Sequence, residues 1–430
     1  MDQKMHKLPI INKLMIMFVM PFIIMFIITC RENDLQNSVT RIDIANNTNN
    51  FRSFRISDLN CELEYIVLAT KNAPILSSIN SVDISSDHII IADRDKCVLF
   101  DRSGRFISKI GSKGRGPGEY HGLGQVRLLD DRIFLPDYGK QEFIIYNPKG
   151  ELMKTVKTPG NFSPTSPNWI PLTDTTYLVR IANYTGDKQN RIALIDNKGE
   201  ILKNYQNTAV FFREKPIYGT FDHYAHFYKN NEEIIYKESL SDTIYRVGNK
   251  KLFPLYIIDR GEYGFPIEYW GFSDRLSLEK YSNQINLSNV LESLNYVYFT
   301  LIFGKHYPFT FYKDSPHSPS GVSHYPIIGL YNKADDDFFL VTPSNVDHQI
   351  EPTGIKNDID GGINFMPRYA VNDTLLVSWF EAYELKLYVA TETFQNSSPK
   401  YPEKKKELEE LAASLDENDN PVLMLVKLKK

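Results

Sequence analysis

The 430-residue sequence predicts an all-β fold, a six-bladed β-propeller with a short helical insertion and a C-terminal helix before the closing strand. Short apolar runs rich in β-branched and aromatic residues alternate with Asp/Gly/Ser turns, which is typical of hairpins and not of helices. The pattern also recurs, because the turn glycines Gly104, Gly150 and Gly199 lie about 46 and 49 residues apart. A plain strand at Val422–Leu428 ends the chain, as ring closure by shared chain ends requires.

Four copies of the repeat can be aligned by their turns: Ile89–Tyr120, Arg132–Val156, Tyr177–Tyr205 and, more weakly, Glu233–Tyr256. A period of roughly 40–50 residues with four strands per unit is the signature of propeller blades. Each unit alone exposes an apolar face, and stacking in a ring buries it. The length after position 40 fits six blades better than eight, and five or seven stay open.

Residues 1–30 are expected to be a targeting segment. Lys4, Lys7 and Lys13 precede an apolar core that is shorter than a bilayer span and runs directly into Cys30. This arrangement resembles a bacterial lipoprotein signal, in which the cysteine is lipidated and becomes the mature N-terminus. An uncleaved membrane anchor and an ordinary cleaved signal are the alternatives. We therefore expect an extracytoplasmic protein, lipid-anchored at Cys30 to the outer membrane, on its periplasmic or surface face.

The rest of the chain is predicted to be a polar tether at 31–50 followed by the propeller at 51–430. Removing residues 1–30 takes three of the 49 basic and one of the 53 acidic residues, which leaves a net charge of −6. This mild acidity excludes the electrostatic footprint of a nucleic-acid-binding protein. We expect a monomer without a cofactor. Whether Cys61 and Cys97 are bridged is left open.

The densest glycine stretch is Gly111–Tyr120, with the sequence GSKGRGPGEY. Glycines allow backbone amides to approach a phosphate, but no helix pattern follows here, as that chemistry requires. We predict a crossover between blades whose glycines take positive φ angles. Arg115 and Glu119 are candidate ligand contacts in a cleft at the rim.

Two clusters of acidic or histidine residues have the composition of a metal site but not its spacing. Asp222–His226 carries two histidines three residues apart, which would face opposite sides of a strand. Asp335–Asp337 lacks the alternating carboxylates of a calcium loop and is predicted to be a hairpin turn. No metal site is therefore expected.

Four further carboxylates are candidate ligand contacts: Asp93, Asp137, Asp358 and Asp360. Asp358 and Asp360 would share one face if their segment were extended, and Gly361 and Gly362 would allow close backbone approach. A structural turn is the alternative.

Two helical regions are predicted. The apolar spacing in 272–295 indicates one or two short helices inserted between strands, which would serve as a lid or cover an edge of the ring. Near the C-terminus, Leu408, Leu411 and Leu415 form one stripe on a charged helix over 404–415.

The run from Asp101 to Tyr120 and the ending from Leu411 to Met424 resemble the uncharacterised six-bladed β-propeller lipoproteins of Bacteroidetes, which are in turn similar to NHL-repeat propellers. The segment Asn357–Gly362 is similar to that family too. The resemblance implies a six-bladed ring in an exported lipoprotein. It implies no reaction and no catalytic residues.

Two functions of different classes remain. The first is a binding or scaffolding propeller of the cell envelope that presents its rim and central pocket to a glycan, a peptide or an envelope protein. The alternative is a carbohydrate-active enzyme, a glycoside hydrolase or lyase, with paired carboxylates in the central channel. Its only candidates are Asp93, Asp137, Asp358 and Asp360. A serine hydrolase is disfavoured because the chain has no G-x-S-x-G motif.

Overall fold

Six sheets of four antiparallel strands form the blades of a closed ring in this computed structural model. It describes residues 39–430 except 138, 159–168, 182, 184, 208–210, 213–224, 231, 239–240, 268–282, 304–311, 315–321, 325 and 344–353. The innermost strands of successive blades contact one another all the way round, including the pair that joins blade 6 to blade 1. The predicted six-bladed propeller is confirmed.

Each blade is a meander whose strands follow one another from the ring axis outward, apart from blade 6, which combines both chain ends. The strands, innermost first, are Ser81–Ile84, His88–Ala92, Cys97–Asp101 and Phe106–Lys109 (blade 1); Arg127–Leu129, Arg132–Asp137, Glu142–Tyr146 and Leu152–Lys157 (blade 2); Trp169–Pro171, Thr176–Arg180, Asn190–Asp196 and Ile201–Gln206 (blade 3); Ala225–Asn230, Glu233–Glu238, Thr243–Val247 and Leu252–Asp259 (blade 4); Asn286–Glu292, Tyr296–Ile302, Ile327–Asn332 and Asp337–Val341 (blade 5); and Tyr369–Asn372, Leu375–Phe380, Val422–Leu428 and Cys61–Val67 (blade 6).

Six short strands of the described residues lie outside this scheme. Thr40–Asp43 adds a fifth strand to the outer edge of blade 4, and Phe51–Arg52 pairs in parallel with Asp337–Val341 of blade 5. In addition, Ser112–Lys113 pairs with Glu119–Tyr120 and Tyr312–Asp314 pairs with Val322–His324. The two added edge strands satisfy backbone groups that an open edge would leave unpaired.

The repeat period has a structural cause in the turn before each outermost strand. Asp101 accepts backbone N–H bonds from Ser103 and Arg105, and Asn147 and Asp196 do the same in blades 2 and 3. The turn glycine of each, such as Gly104 at φ +83°, sits against a backbone carbonyl of the preceding blade. A Cβ on Gly104 would lie 2.1 Å from the Val67 oxygen. The glycine is therefore needed both for its φ angle and for close packing between blades.

Blade 6 closes the ring. Val422–Leu428 pairs on one side with Leu375–Phe380 and on the other, over seven residues, with Cys61–Val67. The prediction that the two chain ends share a sheet is confirmed, as is the assignment of 51–68 to outer strands.

The described α-helices are α1 (Ala382–Val389), α2 (Glu392–Gln395) and α3 (Pro402–Ser414), and all interrupt blade 6 between its second and third strands. α3 begins with Pro402 at its first turn and buries Leu408 and Ala412 against the core of blade 6. The predicted C-terminal helix is confirmed. The described residues also contain three short 3₁₀ turns, Ala45–Asn47, Ile56–Leu59 and Gly261–Tyr263.

The predicted helical insertion at 272–295 is wrong in its second half, since Asn286–Glu292 is the innermost strand of blade 5. The register shifts between Leu287 and Asn289, as at a β-bulge. One extra residue lets Leu287 and Val290, three apart, both be buried. The bulge thus imitates helical spacing. The first part of the prediction, up to 282, lies outside the described residues.

The predicted tether at 31–50 is also too long. The segment from Thr40 is ordered against the ring: Asn46 and Asn47 bond Asp43, and Asn50 donates to the Phe338 carbonyl of blade 5 at 2.9 Å. The asparagine cluster therefore caps a turn and does not mark a free linker. Cys61 and Cys97 are free thiols, and Cys97 is fully buried.

Candidate functional site

A cavity of about 560 Å³ lies at the centre of the ring, within the range of about 300–1,000 Å³ found for ligand sites. Its described walls come mostly from the innermost strands of blades 1, 2, 4, 5 and 6 and the residues just before them. Thr300 and Trp379 from the second strands of blades 5 and 6, and Pro326 before the third strand of blade 5, complete the described lining. Because these segments are far apart in sequence, only ring closure brings them together.

Arg127, on the innermost strand of blade 2, is the most buried charge in the wall at 5% exposure. It donates from Nη1 to the Tyr369 hydroxyl and from Nη2 to the Phe227 carbonyl, both at 3.0 Å. Its Nε–H is shielded from solvent and has no acceptor among the described residues. A buried donor without an acceptor lowers the stability of the folded protein, and a ligand that supplies an acceptor would remove this cost.

Tyr369 connects Arg127 to the Asp83 carboxylate behind the wall. Its hydroxyl donates to Asp83 at 2.6 Å, and the other Asp83 oxygen accepts the Leu128 N–H at 2.8 Å. Burial and the Asp83 charge raise the pKa of Tyr369 far above its ordinary value. The tyrosine is therefore a fixed neutral bridge, and the Asp83 carboxylate is turned towards backbone donors.

Two more polar atoms of the wall, Gln125 Oε1 and His226 Nε2, are buried without a hydrogen-bond partner among the described residues. The other ring nitrogen of His226 bonds the backbone of Ser288. Burial, with the nearby charges of Lys237 and Arg127, lowers the pKa of His226 to about 4. The imidazole is thus neutral at pH 7. With one nitrogen bonded to the backbone, Nε2 is left as an acceptor.

The described lining carries two cations, Arg127 and Arg368, and no carboxylate. Arg368 is exposed, and its guanidinium lies 5.3 Å from the centre of the Trp379 ring, which also lines the cavity. The wall therefore combines positive charge, an aromatic face and several neutral polar groups.

The structure places the predicted site residues Asp93 and Asp137 in equivalent turns of blades 1 and 2, outside the described lining of the cavity. Asp93 accepts the N–H groups of Asp95, Lys96 and Ser77. Asp137 is fully buried and accepts the N–H groups of Gly139 and His121. Both carboxylates tie a turn to the loop that precedes their blade. A ligand role for them stays a prediction.

Arg115 and Glu119 lie in the crossover between blades 1 and 2, as predicted, with Gly111 at φ +61° and Gly118 at φ +70°. Arg115 is exposed. The Glu119 carboxylate accepts the Gly116 N–H at 2.7 Å, and a Cβ on Gly114 would lie 2.1 Å from it. The Glu119 carboxylate thus fills the space beside Gly114 and Gly116, which is the space that a phosphate-binding loop would leave for its ligand. These two residues are not among those that line the cavity.

Asp358 and Asp360 lie in the segment that precedes blade 6, and they form hydrogen bonds with different residues. Asp358 accepts the backbone N–H and hydroxyl of Ser57. Asp360 is 2% exposed and accepts Tyr65 Oη at 2.9 Å, Asn357 Nδ2 at 2.6 Å and the Gly362 N–H at 2.8 Å. Neither lines the cavity. Their proposed ligand contact also stays untested.

The acidic and histidine-containing clusters offer no metal site among the described residues. Asp335–Asp337 lies in the predicted hairpin turn, where Asp336 has φ +52°. Cys30 and Asp222–Tyr224 lie outside the described residues. In the part of the chain that is described, no group of three or more His, Cys, Asp or Glu side chains could hold a metal ion. That part also has no helix of the length and hydrophobicity needed to cross a bilayer.

Sequence reasoning missed Arg127, Gln125 and Arg368, and it weighed His226 only as a metal ligand. None of them lies in a motif. They stand at or just before the start of an innermost strand, a position that could be found by aligning the blades and asking which residues face the axis.

Comparison with solved structures supports the fold. The chain is similar to a predicted exported protein of Bacteroides fragilis NCTC 9343, with 20% identity, 91% of this chain and 100% of that chain covered and a TM-score of 0.64. A member of the DUF4221 family from Bacteroides vulgatus ATCC 8482 has 13% identity over 65% of this chain and 84% of its own, with a TM-score of 0.45. A protein of unknown function from Bacteroides caccae has 11% identity over 61% and 81%, with a TM-score of 0.37.

No curated protein matches the sequence at a significant level. The profile of the domain of unknown function DUF4934 matches residues 39–427, which include all six blades except the last residue of Val422–Leu428. The chain belongs to the DUF4934 family.

Proposed function

We propose that this chain is an exported, lipid-anchored propeller of the cell envelope that binds a ligand in its central cavity. The observation that carries the proposal is the cavity wall, where Arg127, Gln125 and His226 each hold a buried polar atom without a partner among the described residues. Such groups are normally satisfied in folded proteins, so their convergence on one cavity favours ligand binding. The ligand class is a glycan, a peptide or an envelope protein.

The alternative of a carbohydrate-active enzyme has less support. A glycosidase needs two carboxyl groups about 5–9.5 Å apart on either side of the bond it breaks. The described lining of the cavity contains no carboxylate, and the four candidate aspartates are hydrogen-bonded to other parts of the chain outside that lining. No observation favours this function over binding.

A bulky side chain in the cavity tests the binding function. Ser288 is exposed, lines the cavity and lies beside the blade 5 bulge, so Ser288→Trp should fill the space without disturbing the core. On a glycan and peptide array, we expect wild-type protein to retain at least one ligand. The variant should bind that ligand about tenfold or more weakly, because the occupied volume is lost.

The matched control is Ser86→Trp, which adds the same bulk in an exposed turn of blade 1 that does not line the cavity. It should bind as wild type does. Ligands that bind equally to wild type and Ser288→Trp, or an array without any ligand above background, would contradict the proposed site.

Lipid attachment is tested by Cys30→Ala. The apolar segment that ends at Cys30 and the likeness to a predicted exported protein support export. In a Gram-negative host fed an alkyne-tagged fatty acid, the wild-type chain should incorporate label and sediment with outer membranes. Cys30→Ala should lose both properties, whereas the control Cys61→Ala should keep them. A wild-type chain that takes up no label but stays in the membrane would indicate an uncleaved anchor instead.

A further inference from the structure

We propose that the ligand of the central cavity is an acidic sugar whose carboxylate is bound by Arg127. The inference rests on the proposed binding function and names its ligand class. Three features of the wall carry it: a buried positive charge without a direct ion pair, an arrangement of donors and acceptors suited to hydroxyl groups, and an aromatic face.

The first feature is the positive charge of the Arg127 guanidinium. Arg127 is 95% buried and makes no ion pair with a described residue, since its contact with Asp83 runs through the neutral Tyr369 hydroxyl. Its two Nη groups are each tied by one hydrogen bond, which fixes the plane of the guanidinium. The Nε–H has no acceptor among the described residues, and a guanidinium with free N–H groups can bind a carboxylate through two parallel hydrogen bonds. An anion there would compensate a buried cation.

A second cation at the cavity strengthens this preference. Arg368 also lines the cavity and is exposed. Positive potential in a cavity whose described walls lack carboxylates disfavours cationic ligands and concentrates anions.

The neutral groups indicate what else the ligand carries. Gln125 Oε1 and His226 Nε2 are acceptors that need donors, which the anionic group itself cannot supply. Sugar hydroxyls are donors, and the Trp379 ring, which also contacts Arg368, lines the cavity as an aromatic surface against which a pyranose ring can pack. Because Arg127 Nε and His226 Nε2 are shielded from water in the free chain, wall side chains must shift slightly to admit the ligand.

The test is calorimetric titration of the full-length chain in detergent. Trigalacturonate should bind about tenfold or more tightly than maltotriose, and its affinity should fall as salt rises. Arg127→Gln should remove this preference, lowering the affinity for trigalacturonate at least tenfold while the affinity for maltotriose changes little. Arg368→Gln, at an exposed position, should weaken the acidic ligand without affecting folding, and Arg105→Gln, on the outer turn of blade 1, is the control.

The outcomes separate the two proposals. Equal affinity for acidic and neutral trisaccharides, or acidic binding unchanged in both folded Arg127→Gln and Arg368→Gln, overturns the acidic-sugar assignment but not the cavity, provided Ser288→Trp still abolishes binding. Stronger binding of glucose 6-phosphate than of glucuronate overturns the carboxylate in favour of a phosphate. If Ser288→Trp leaves every interaction intact, the cavity itself is excluded and both proposals fail.

Discussion

Leu425→Asp is expected to prevent stable folding of the whole propeller. Leu425 is fully buried at the centre of Val422–Leu428, the strand that joins the C-terminal and N-terminal parts of blade 6. The substitution removes a core side chain, which alone costs about 2–5 kcal/mol, and adds a buried charge without a partner. Since total stabilities are only about 5–15 kcal/mol, most of the free energy of unfolding should be lost.

The effect should spread beyond blade 6 because the strand faces two cores. Val422, Met424 and Val426 pack with the helices of blade 6, while Leu423 and Leu425 pack against blade 1. Without this strand, Cys61–Val67 has no partner in its blade, and two sheet edges become exposed.

Chemical denaturation followed by circular dichroism, with size-exclusion chromatography, measures the result. Lys427→Ala in the same strand is the matched control: its exposed ion pair with Glu64 should contribute less than about 1 kcal/mol. If Leu425→Asp unfolds at the same denaturant concentration as Lys427→Ala, the ring is held closed by something other than this strand.

The ring could be predicted from the sequence because residues of local turns mark where each blade lies. Asp101, Asn147 and Asp196 form the same backbone turn at the same place in three blades, and the adjoining glycines pack on the neighbouring sheet. The predicted secondary structure was wrong where a local sequence pattern had a different structural cause. The bulge beside Leu287 gave a strand the spacing of a helix, and the asparagines after Asp43 looked like a linker although they cap a turn.

The site could not be predicted in the same way. Arg127, His226 and Arg368 meet only after the ring has closed, and nothing in the residues beside them indicates that they face the axis. The sequence instead predicted ligand contacts at aspartates next to strands, because a carboxylate in that position has the sequence pattern of a ligand-binding residue. Asp93 and Asp137 show the other use of that residue, which is to accept the backbone N–H groups that a turn leaves free.

Glu238→Gln is expected to be the most destabilising replacement of a polar side chain between blades 3 and 4. The Glu238 carboxylate accepts the Tyr236 hydroxyl at 2.6 Å and lies 3.3 Å from Nε of both Arg180 and Arg191. Both arginine side chains are 2% exposed. Removing the negative charge leaves the Arg191 guanidinium buried without its carboxylate, which costs about 3–5 kcal/mol.

This loss should depend on pH. Burial raises the pKa of Glu238, but the attraction of Arg191 and Arg180 outweighs it and holds the pKa below its ordinary value. The stabilisation is therefore present above the ordinary glutamate pKa and is lost as the pH falls through the lower pKa of the folded state. The difference in the free energy of unfolding between wild type and Glu238→Gln should be full at pH 7 and shrink as the pH falls below about 4.

Urea denaturation at several pH values measures this difference, and two further variants identify its cause. Glu233→Gln breaks the more exposed ion pair with Arg246 in the same blade and should cost less than about 1 kcal/mol. Adding Arg191→Met to Glu238→Gln should restore part of the stability, because it removes the cation that the first change left without its carboxylate. A Glu238→Gln protein as stable as Glu233→Gln, or a loss that persists unchanged at pH 3, would show that the carboxylate does not hold blades 3 and 4 together through its charge.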